Sequence, residues 1–130
     1  MKKFNKKKLP SRHTTIGADK APQRSFYYAM DLTEKDVAKP FVGVVSTWNE
    51  AAPCNINLMK QAQSVKKGVQ ATGGTPREFC TITVTDGIAM GHEGMKSSLI
   101  SRDVIADSTE LTVRGHCYDA LVGLAGCDKS

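Results

Sequence analysis

Three short segments of this chain carry side chains suited to metal chemistry, and each follows a run of residues typical of a buried β-strand. The segments, which contain cysteine, carboxylate or lysine side chains, are 52–55, 84–88 and 126–129. Thiolates are ligands for soft metal centres such as iron or copper, whereas carboxylate oxygens suit magnesium or manganese. In a parallel sheet the carboxyl ends of the strands share one edge, so we expect the segments to meet there.

Each motif is weak when it is considered by itself. Cys127 and Asp128 are adjacent, so their side chains point in different directions and could serve two neighbouring centres, but a surface turn with one buried cysteine is commoner. Cys54 precedes a predicted helix whose dipole would stabilise a thiolate, although a small residue packed beneath a loop also explains it. Asp86 precedes a glycine, a pair that is usually only a turn.

The other cysteines and the histidines are not assigned to a metal. We expect Cys80, in a predicted strand, and Cys117, at the end of a predicted helix, to lie in or near the core. The cysteines lack the C-x-x-C spacing of a zinc ribbon or a thioredoxin-like motif. Since the basic N-terminus leads into no apolar signal segment, the cysteines are expected to be reduced rather than paired as disulfides.

Strands and helices are predicted to alternate along the chain. The predicted strands are 41–47, 79–84 and 120–125, the main helices 57–71 and 103–115, and the shorter helical segments 23–31 and 33–36. Two strand–helix–strand units predict an α/β fold with a parallel, or mostly parallel, sheet and flanking helices. The predicted sheet-facing residues of the second main helix are Val104, Ile105, Ser108, Leu111 and Thr112.

Length and charge are those of an ordinary globular domain with a basic end. The chain has 130 residues and a formal net charge of +5, which the lysines at positions 2, 3, 6, 7 and 8 match. We predict a basic, irregular tail over residues 1–21 and a partial N-terminal α/β domain over 22–130. A nucleic-acid-binding arm is not favoured, because beyond Phe4 no aromatic residue interleaves with the lysines. No apolar run approaches the roughly 20 residues that span a bilayer.

Taken together, these segments resemble the dihydroxy-acid dehydratase and 6-phosphogluconate dehydratase family. The resemblance covers nearly all of residues 11–130 and is densest in four places, namely 45–50 with 53–56, 86–95, 98–108 and 126–129. Several long stretches match the family's sequence in the same order and at the same spacing, which makes the resemblance specific. The form of residues 86–92 looks like the branched-chain dihydroxy-acid enzyme rather than the phosphogluconate enzyme.

The resemblance implies a role for each candidate residue. Cys54 and Cys127 match two of the three cysteines that hold the family's iron–sulfur cluster, for which we expect 2Fe-2S, with 4Fe-4S as the alternative. The residues that match magnesium ligands are Asp86, Asp128 and Lys129, the last through a carbamate formed with carbon dioxide. No catalytic residue is assigned, because the family's serine base, the third cysteine and a glutamate ligand lie beyond Ser130.

The implied reaction removes water from 2,3-dihydroxy-3-methyl carboxylic acids and gives 2-oxo acids in valine and isoleucine biosynthesis. Family chains are several times longer, so we expect this chain to be the N-terminal part of a larger dehydratase domain, inactive alone. The alternatives are a sugar-acid dehydratase acting on arabinonate, xylonate or 6-phosphogluconate, and a small basic nucleic-acid-binding module. We expect a homodimer of the complete protein, no membrane partner, and a cytoplasmic location that protects a labile cluster.

Overall fold

The predicted α/β fold with a parallel sheet is confirmed in a computed structural model, which describes residues 4–130. Its strands are β1 (Phe41–Ser46), β2 (Thr75–Cys80) and β3 (Ala120–Leu124), and β1 lies between the other two. Both neighbours run parallel to β1, with Phe41 opposite Thr75 and Val42 opposite Ala120. The loops that follow the three strands therefore leave the sheet at one edge, which we call the carboxyl edge.

The helices of the described residues fall into two groups. Before the sheet come α1 (Arg12–Thr15), α2 (Ala21–Ala29) and α3 (Glu34–Val37); the connecting helices are α4 (Leu58–Ala71), α5 (Asp86–Ala89) and α6 (Met95–Gly115). Right-handed crossovers place α4, between β1 and β2, and α6, between β2 and β3, on opposite faces of the sheet. The direction of winding reverses between β1 and β3, and this switch point is where open α/β sheets bind ligands.

The core is built on β1 and on one face of α4. Phe41 and Val44 are fully buried in β1. The helix predicted at 57–71 is confirmed, and its buried face is an apolar stripe on which Leu58 and Ala62 are buried and Val65 is half-buried. Gly73 ends this helix with a φ of 91°, in the left-handed region that favours glycine. The helix therefore covers the central strand and starts directly after the loop that carries Cys54.

The sheet-facing side of α6 is more polar than predicted. Ser98 and Ser101 are buried, whereas Val104 and Leu111 are 46% and 72% exposed, so the predicted inward position of these two is wrong. The inward residues recur at helical spacing as Ser98, Ser101, Ile105, Ser108 and Thr112. Hydroxyls satisfy one another here, since Thr81 Oγ1 lies 2.6 Å from Ser108 Oγ. The first turns of this helix were not predicted, because serines rather than apolar residues line its inner face. The predicted helix began at residue 103, whereas α6 begins at Met95.

The second strand is shifted from its prediction. We predicted residues 79–84, whereas β2 spans Thr75–Cys80. The ladder ends where β1 ends, at the pair of Ser46 and Cys80, so residues 81–84 have no strand to pair with. Pro76 is tolerated within β2 because β2 is an edge strand of the sheet that the structure describes, so its missing amide hydrogen need not face a neighbouring strand. The strand end at Cys80 also leaves that cysteine exposed, so its predicted core position is wrong, while Cys117 is half-buried.

The N-terminal segment is more ordered than the irregular tail we predicted. Residues 6–20 form short helical turns, and Ser11 donates to both carboxylate oxygens of Asp119, from its amide at 2.8 Å and its hydroxyl at 2.6 Å. Lys6 Nζ lies 4.2 Å above the ring of Phe41. Burial lowers the pKa of Lys6 to about 8, and the negative charge of Asp119, which acts to raise this pKa, offsets only part of that effect. Lys2 and Lys3, also assigned to the tail, lie outside the described residues.

The short helical segment predicted at 33–36 is confirmed by α3, which Thr33 caps. The Thr33 hydroxyl accepts from the Asp36 amide, and the Asp36 carboxylate accepts from the Thr33 amide, which is a capping box. Across residues 4–130, we find no helix whose length and apolar character together suit a bilayer crossing.

Candidate metal centre at the carboxyl edge

The loop after β1 presents Cys54 to solvent. Its first turn is shaped by Asn49, whose Oδ1 accepts hydrogen bonds from the amides of Ala51 at 2.9 Å and Ala52 at 3.1 Å. Asparagine favours such turns because its side chain mimics a backbone carbonyl. Cys54 follows and its side chain is exposed. The loop thus holds a free thiol at the carboxyl edge, immediately before α4.

The next residue, Asn55, is fully buried and joins this loop to the end of β1. Its Nδ2 donates to the carbonyl oxygen of Thr47 at 2.6 Å and to the Thr47 hydroxyl at 2.8 Å. On its other side it packs against Gly126, where a Cβ would lie 2.8 Å from the Asn55 side chain and 2.9 Å from the Cys54 carbonyl oxygen. The loops after β1 and β3 are therefore in direct contact.

Cys127 lies in a tight turn that follows β3. Its amide donates to Ser130 Oγ at 3.0 Å, and Ser130 Oγ donates back to the Cys127 carbonyl at 2.9 Å. The Cys127 Sγ lies 3.3 Å from Thr85 Oγ1, which belongs to the segment after β2. This thiol therefore touches the third of the segments that the sequence singled out, and all three meet at the carboxyl edge.

Asp86, Asp128 and Lys129 form one ionic group in the segments after β2 and β3. Lys129 Nζ lies 3.0 Å from Asp86 Oδ2 and also contacts Asp128. The other oxygen of Asp86 accepts from the Ser98 hydroxyl at the start of α6. These hydrogen bonds, from Ser98 first and Lys129 second, lower the pKa of Asp86. The carboxylate is thus held ionised and oriented from two sides.

A cleft of about 680 Å³ opens beside this ionic group. Its lining combines charged, polar and apolar side chains, namely Asp86, Lys96 and Lys129, His92 and Ser98, and Met95, Leu99 and Ile100. A small molecule in the cleft would therefore meet both charged and apolar side chains. That combination suits a carboxylic acid with an alkyl substituent.

The donor atoms suit an iron–sulfur cluster and a magnesium ion, although they are incomplete for either. Among residues 4–130, no three His, Cys, Asp or Glu side chains are grouped closely enough to hold a metal ion. The Lys129 ammonium instead occupies the space between two carboxylates. Carboxylation of that amine would replace a cation with an anionic oxygen donor, and hard oxygen donors are what magnesium requires. Free thiols at Cys54 and Cys127 suit an iron–sulfur cluster.

The structure brings together every candidate residue that the sequence proposed, namely Cys54, Asp86, Cys127, Asp128 and Lys129. Their roles as ligands stay predictions. Sequence reasoning missed three supporting residues, Asn55, Thr85 and Ser98. The first two are immediate neighbours of proposed ligands, and Ser98 opens the stretch 98–108 that the resemblance emphasised, so adjacency to a motif was the available signal.

Comparison with known proteins identifies the family. Residues 39–130 match the model of the dihydroxy-acid/6-phosphogluconate dehydratase N-terminal region. The chain therefore belongs to the dihydroxy-acid/6-phosphogluconate dehydratase family. The region that matches contains all three strands and every candidate residue, whereas the N-terminal helical turns lie before it.

Individual relatives agree with this assignment. The chain is 90% identical to a dihydroxy-acid dehydratase of Pelagibacter ubique over 130 residues, all of this chain and 23% of the relative. It is 78% identical to a dihydroxy-acid dehydratase of Parvibaculum lavamentivorans over 129 residues, 99% of this chain and 22% of the relative. A dihydroxy-acid dehydratase of Metallosphaera sedula is 57% identical over 114 residues, 88% of this chain and 20% of that protein. The chain thus spans less than a quarter of the length of these relatives.

Proposed function

We propose that the complete protein is a dihydroxy-acid dehydratase, which removes water from a 2,3-dihydroxy-3-methyl acid to give a 2-oxo acid. The observation that carries the proposal is the contact of three strand-end segments at the carboxyl edge, which together contain two cysteines and a carboxylate–lysine group. This edge includes the switch point between β1 and β3, where open α/β sheets bind their ligands. The relatives that carry this segment are named dihydroxy-acid dehydratases.

In this proposal, the chain supplies part of two adjoining centres. Cys54 and Cys127 hold the iron–sulfur cluster, for which 2Fe-2S is the expected form. Asp86 and Asp128 hold magnesium together with carboxylated Lys129. Ser98 keeps Asp86 ionised and oriented, since its hydroxyl donates to that carboxylate. When bound, the cluster and magnesium supply the Lewis acidity that a departing 3-hydroxyl and a C2 proton require.

The names of the relatives, all dihydroxy-acid dehydratases, favour a branched alkyl substrate over a sugar acid. The cleft is consistent with that choice, because Met95, Leu99 and Ile100 line it together with His92, Lys96 and Ser98. A methyl group can pack on the three apolar side chains, where a sugar hydroxyl would lose its hydrogen bonds to water. The nucleic-acid alternative is not favoured, because Lys6 of the basic segment is engaged with the Phe41 ring and the Lys39 carbonyl.

We place the protein in the cytoplasm, where a reducing environment protects both thiols and cluster. Homodimerisation of the complete protein stays a prediction.

Assay of the complete gene product tests the reaction. With magnesium and after anaerobic cluster assembly, we expect 2,3-dihydroxy-3-methylbutanoate to be converted to its 2-oxo acid, with kcat/KM well above that for arabinonate or xylonate. Cys54→Ser should abolish turnover, and Cys117→Ser, a half-buried cysteine outside the carboxyl edge, should retain it. Greater kcat/KM for a sugar acid would overturn the substrate class, and equal activity of the two variants would overturn the site.

A further inference from the structure

A buried side chain next to Cys54 is in a position to control both proposed cluster ligands. Asn55 is 0% exposed, yet it is polar and lies between the loops that carry Cys54 and Cys127. A buried amide costs free energy unless its hydrogen bonds are made, so a polar residue here requires a structural reason.

One half of the amide holds the Cys54 loop to the sheet. Both hydrogens of Nδ2 are engaged by Thr47, through its carbonyl oxygen at 2.6 Å and its hydroxyl at 2.8 Å. Thr47 directly follows β1 and is itself buried. The Asn55 backbone is fixed as well, because its amide donates to the Ala52 carbonyl and its carbonyl accepts from Leu58. Asn55 therefore cannot move without displacing Cys54, to which it is bonded.

The other half of the amide faces the Cys127 turn. Among the described residues, Asn55 Oδ1 is buried without a hydrogen-bond partner. It packs so closely on Gly126 that an added Cβ would lie 2.8 Å from both Oδ1 and Cγ. Gly126 precedes Cys127 directly, so the position of this amide limits where the second thiol can be.

We infer that Asn55 is a positioning residue that fixes the separation of the Cys54 and Cys127 thiols, with Gly126 as its packing partner. The inference rests on the proposed function in one respect, because the purpose of the fixed separation is to hold an iron–sulfur cluster. Residues that orient metal ligands without touching the metal typically alter metal affinity by about 10–100-fold when they are substituted. Asn55 makes no contact with substrate in this account.

The first test compares cluster retention in the complete gene product. After anaerobic reconstitution, iron and sulfide content and visible circular dichroism are followed during chelator challenge. We expect Asn55→Ala to lose its cluster about 10–100-fold faster than wild type and to show an altered dichroism spectrum before loss. The matched control is Asn57→Ala, an exposed asparagine of the same loop whose side chain makes no capping bond. Retention in Asn55→Ala equal to wild type would overturn the inference.

A second comparison separates positioning from general destabilisation. Gly126→Ala alone should also accelerate cluster loss, because the new methyl group collides with Asn55 and with the Cys54 carbonyl. In an Asn55→Ala background the collision with the side chain is removed, so the same substitution should cost less. Additive effects of the two substitutions would contradict a direct contact between them.

Crosslinking distinguishes failure of this inference from failure of the proposed function. The cluster-free complete protein is treated with dibromobimane, which bridges neighbouring thiols, and the Cys54–Cys127 product is quantified by peptide mass spectrometry. A wild type that assembles no cluster would defeat the proposed function. The inference still predicts a lower crosslink yield in Asn55→Ala than in wild type and in Asn57→Ala. Equal yields would overturn it.

Discussion

The two edges of the sheet are built in opposite ways. At the opposite ends of the strands, which we call the amino edge and where Phe41, Thr75 and Ala120 begin β1, β2 and β3, Asp119 accepts hydrogen bonds from the Phe41 amide at 2.7 Å and from the amide and hydroxyl of Ser11. At the carboxyl edge the thiol of Cys54 is exposed, and within residues 4–130 the side-chain oxygen of Asn55 is buried without a hydrogen-bond partner. The polar groups around Asp119 are paired with one another, whereas the carboxyl edge presents an exposed thiol.

This difference separates residues that stabilise the fold from residues that serve chemistry. Functional sites commonly retain unsatisfied or strained groups that the rest of the structure must support. If the comparison is right, substitutions at the amino edge reduce the free energy of unfolding and those at the carboxyl edge reduce activity. Urea denaturation of this chain measures the stability effects.

The largest effect is expected for Phe41→Ala at the amino edge. Phe41 is 0% exposed and its ring meets Tyr27 edge-on at 5.1 Å. Removal of a buried phenylalanine side chain typically costs about 3–5 kcal/mol. The matched control is Phe26→Ala, since Phe26 is 70% exposed and should cost little. Similar losses for the two variants would contradict the position of the core.

The second effect concerns the carboxylate that joins the N-terminal segment to the sheet. Asp119→Ala removes the acceptor for three hydrogen bonds from Ser11 and Phe41. We expect the free energy of unfolding to fall by about 3 kcal/mol, because the donors are left unsatisfied. The exposed Asp103 supplies the control, and Asp103→Ala should be near neutral. A loss below about 0.5 kcal/mol for Asp119→Ala, the range usual for surface substitutions, would show that the segment is not anchored there.

A smaller effect is expected at the capping box of α3. Thr33→Ala should reduce the free energy of unfolding by about 1 kcal/mol, since it removes the hydrogen bond to the Asp36 amide. Hydrogen bonds from Thr33 and Lys39 hold the pKa of Asp36 at about 2. Because this pKa is lower in the folded state, the contribution of Asp36 is complete above pH 4 and is lost as the pH falls toward about 2. In Asp36→Asn the stability should fall less over that range, and an unchanged slope would contradict the cap.

The smallest stability effect is predicted for Lys129→Met at the carboxyl edge. Its ion pairs with Asp86 and Asp128 are partly solvated, and such pairs contribute about 0–1 kcal/mol. Dehydratase activity of the complete protein should nevertheless be lost. Lys66→Met is the matched control, because Lys66 pairs with Glu78 at 2.8 Å beside α4, away from the site. Retained activity in Lys129→Met would remove this lysine from the site.

Some of this architecture could be predicted from the sequence. β-Branched residues in β1 and the apolar stripe of α4 follow the two periodicities that sequence reading relies on, so those elements were placed within a residue or so. The start of β2 was missed, since Pro76, Arg77 and Glu78 do not look like a strand. Its pairing with β1 outweighs that local preference.

The candidate site was predictable in its residues but not in its contacts. Cys54, Asp86 and Cys127 follow strands, so a parallel sheet brings them to one edge without further information. The buried hydroxyl of Ser98 and the buried amide of Asn55 were not predictable, because their burial depends on packing between segments distant in sequence. For the same reason, Val104 and Leu111 were wrongly predicted to face the sheet, because the inner face of α6 is polar.

The most direct test of the central claim is the iron and sulfide content of the complete protein with each cysteine of this chain replaced in turn. After anaerobic reconstitution, the account predicts that Cys54→Ser and Cys127→Ser lose the bound cluster. It also predicts that Cys80→Ser and Cys117→Ser retain it at the wild-type stoichiometry. A cluster that survives loss of Cys54 or Cys127, or that depends on Cys80 or Cys117, would contradict the assignment of the carboxyl edge as the cluster site.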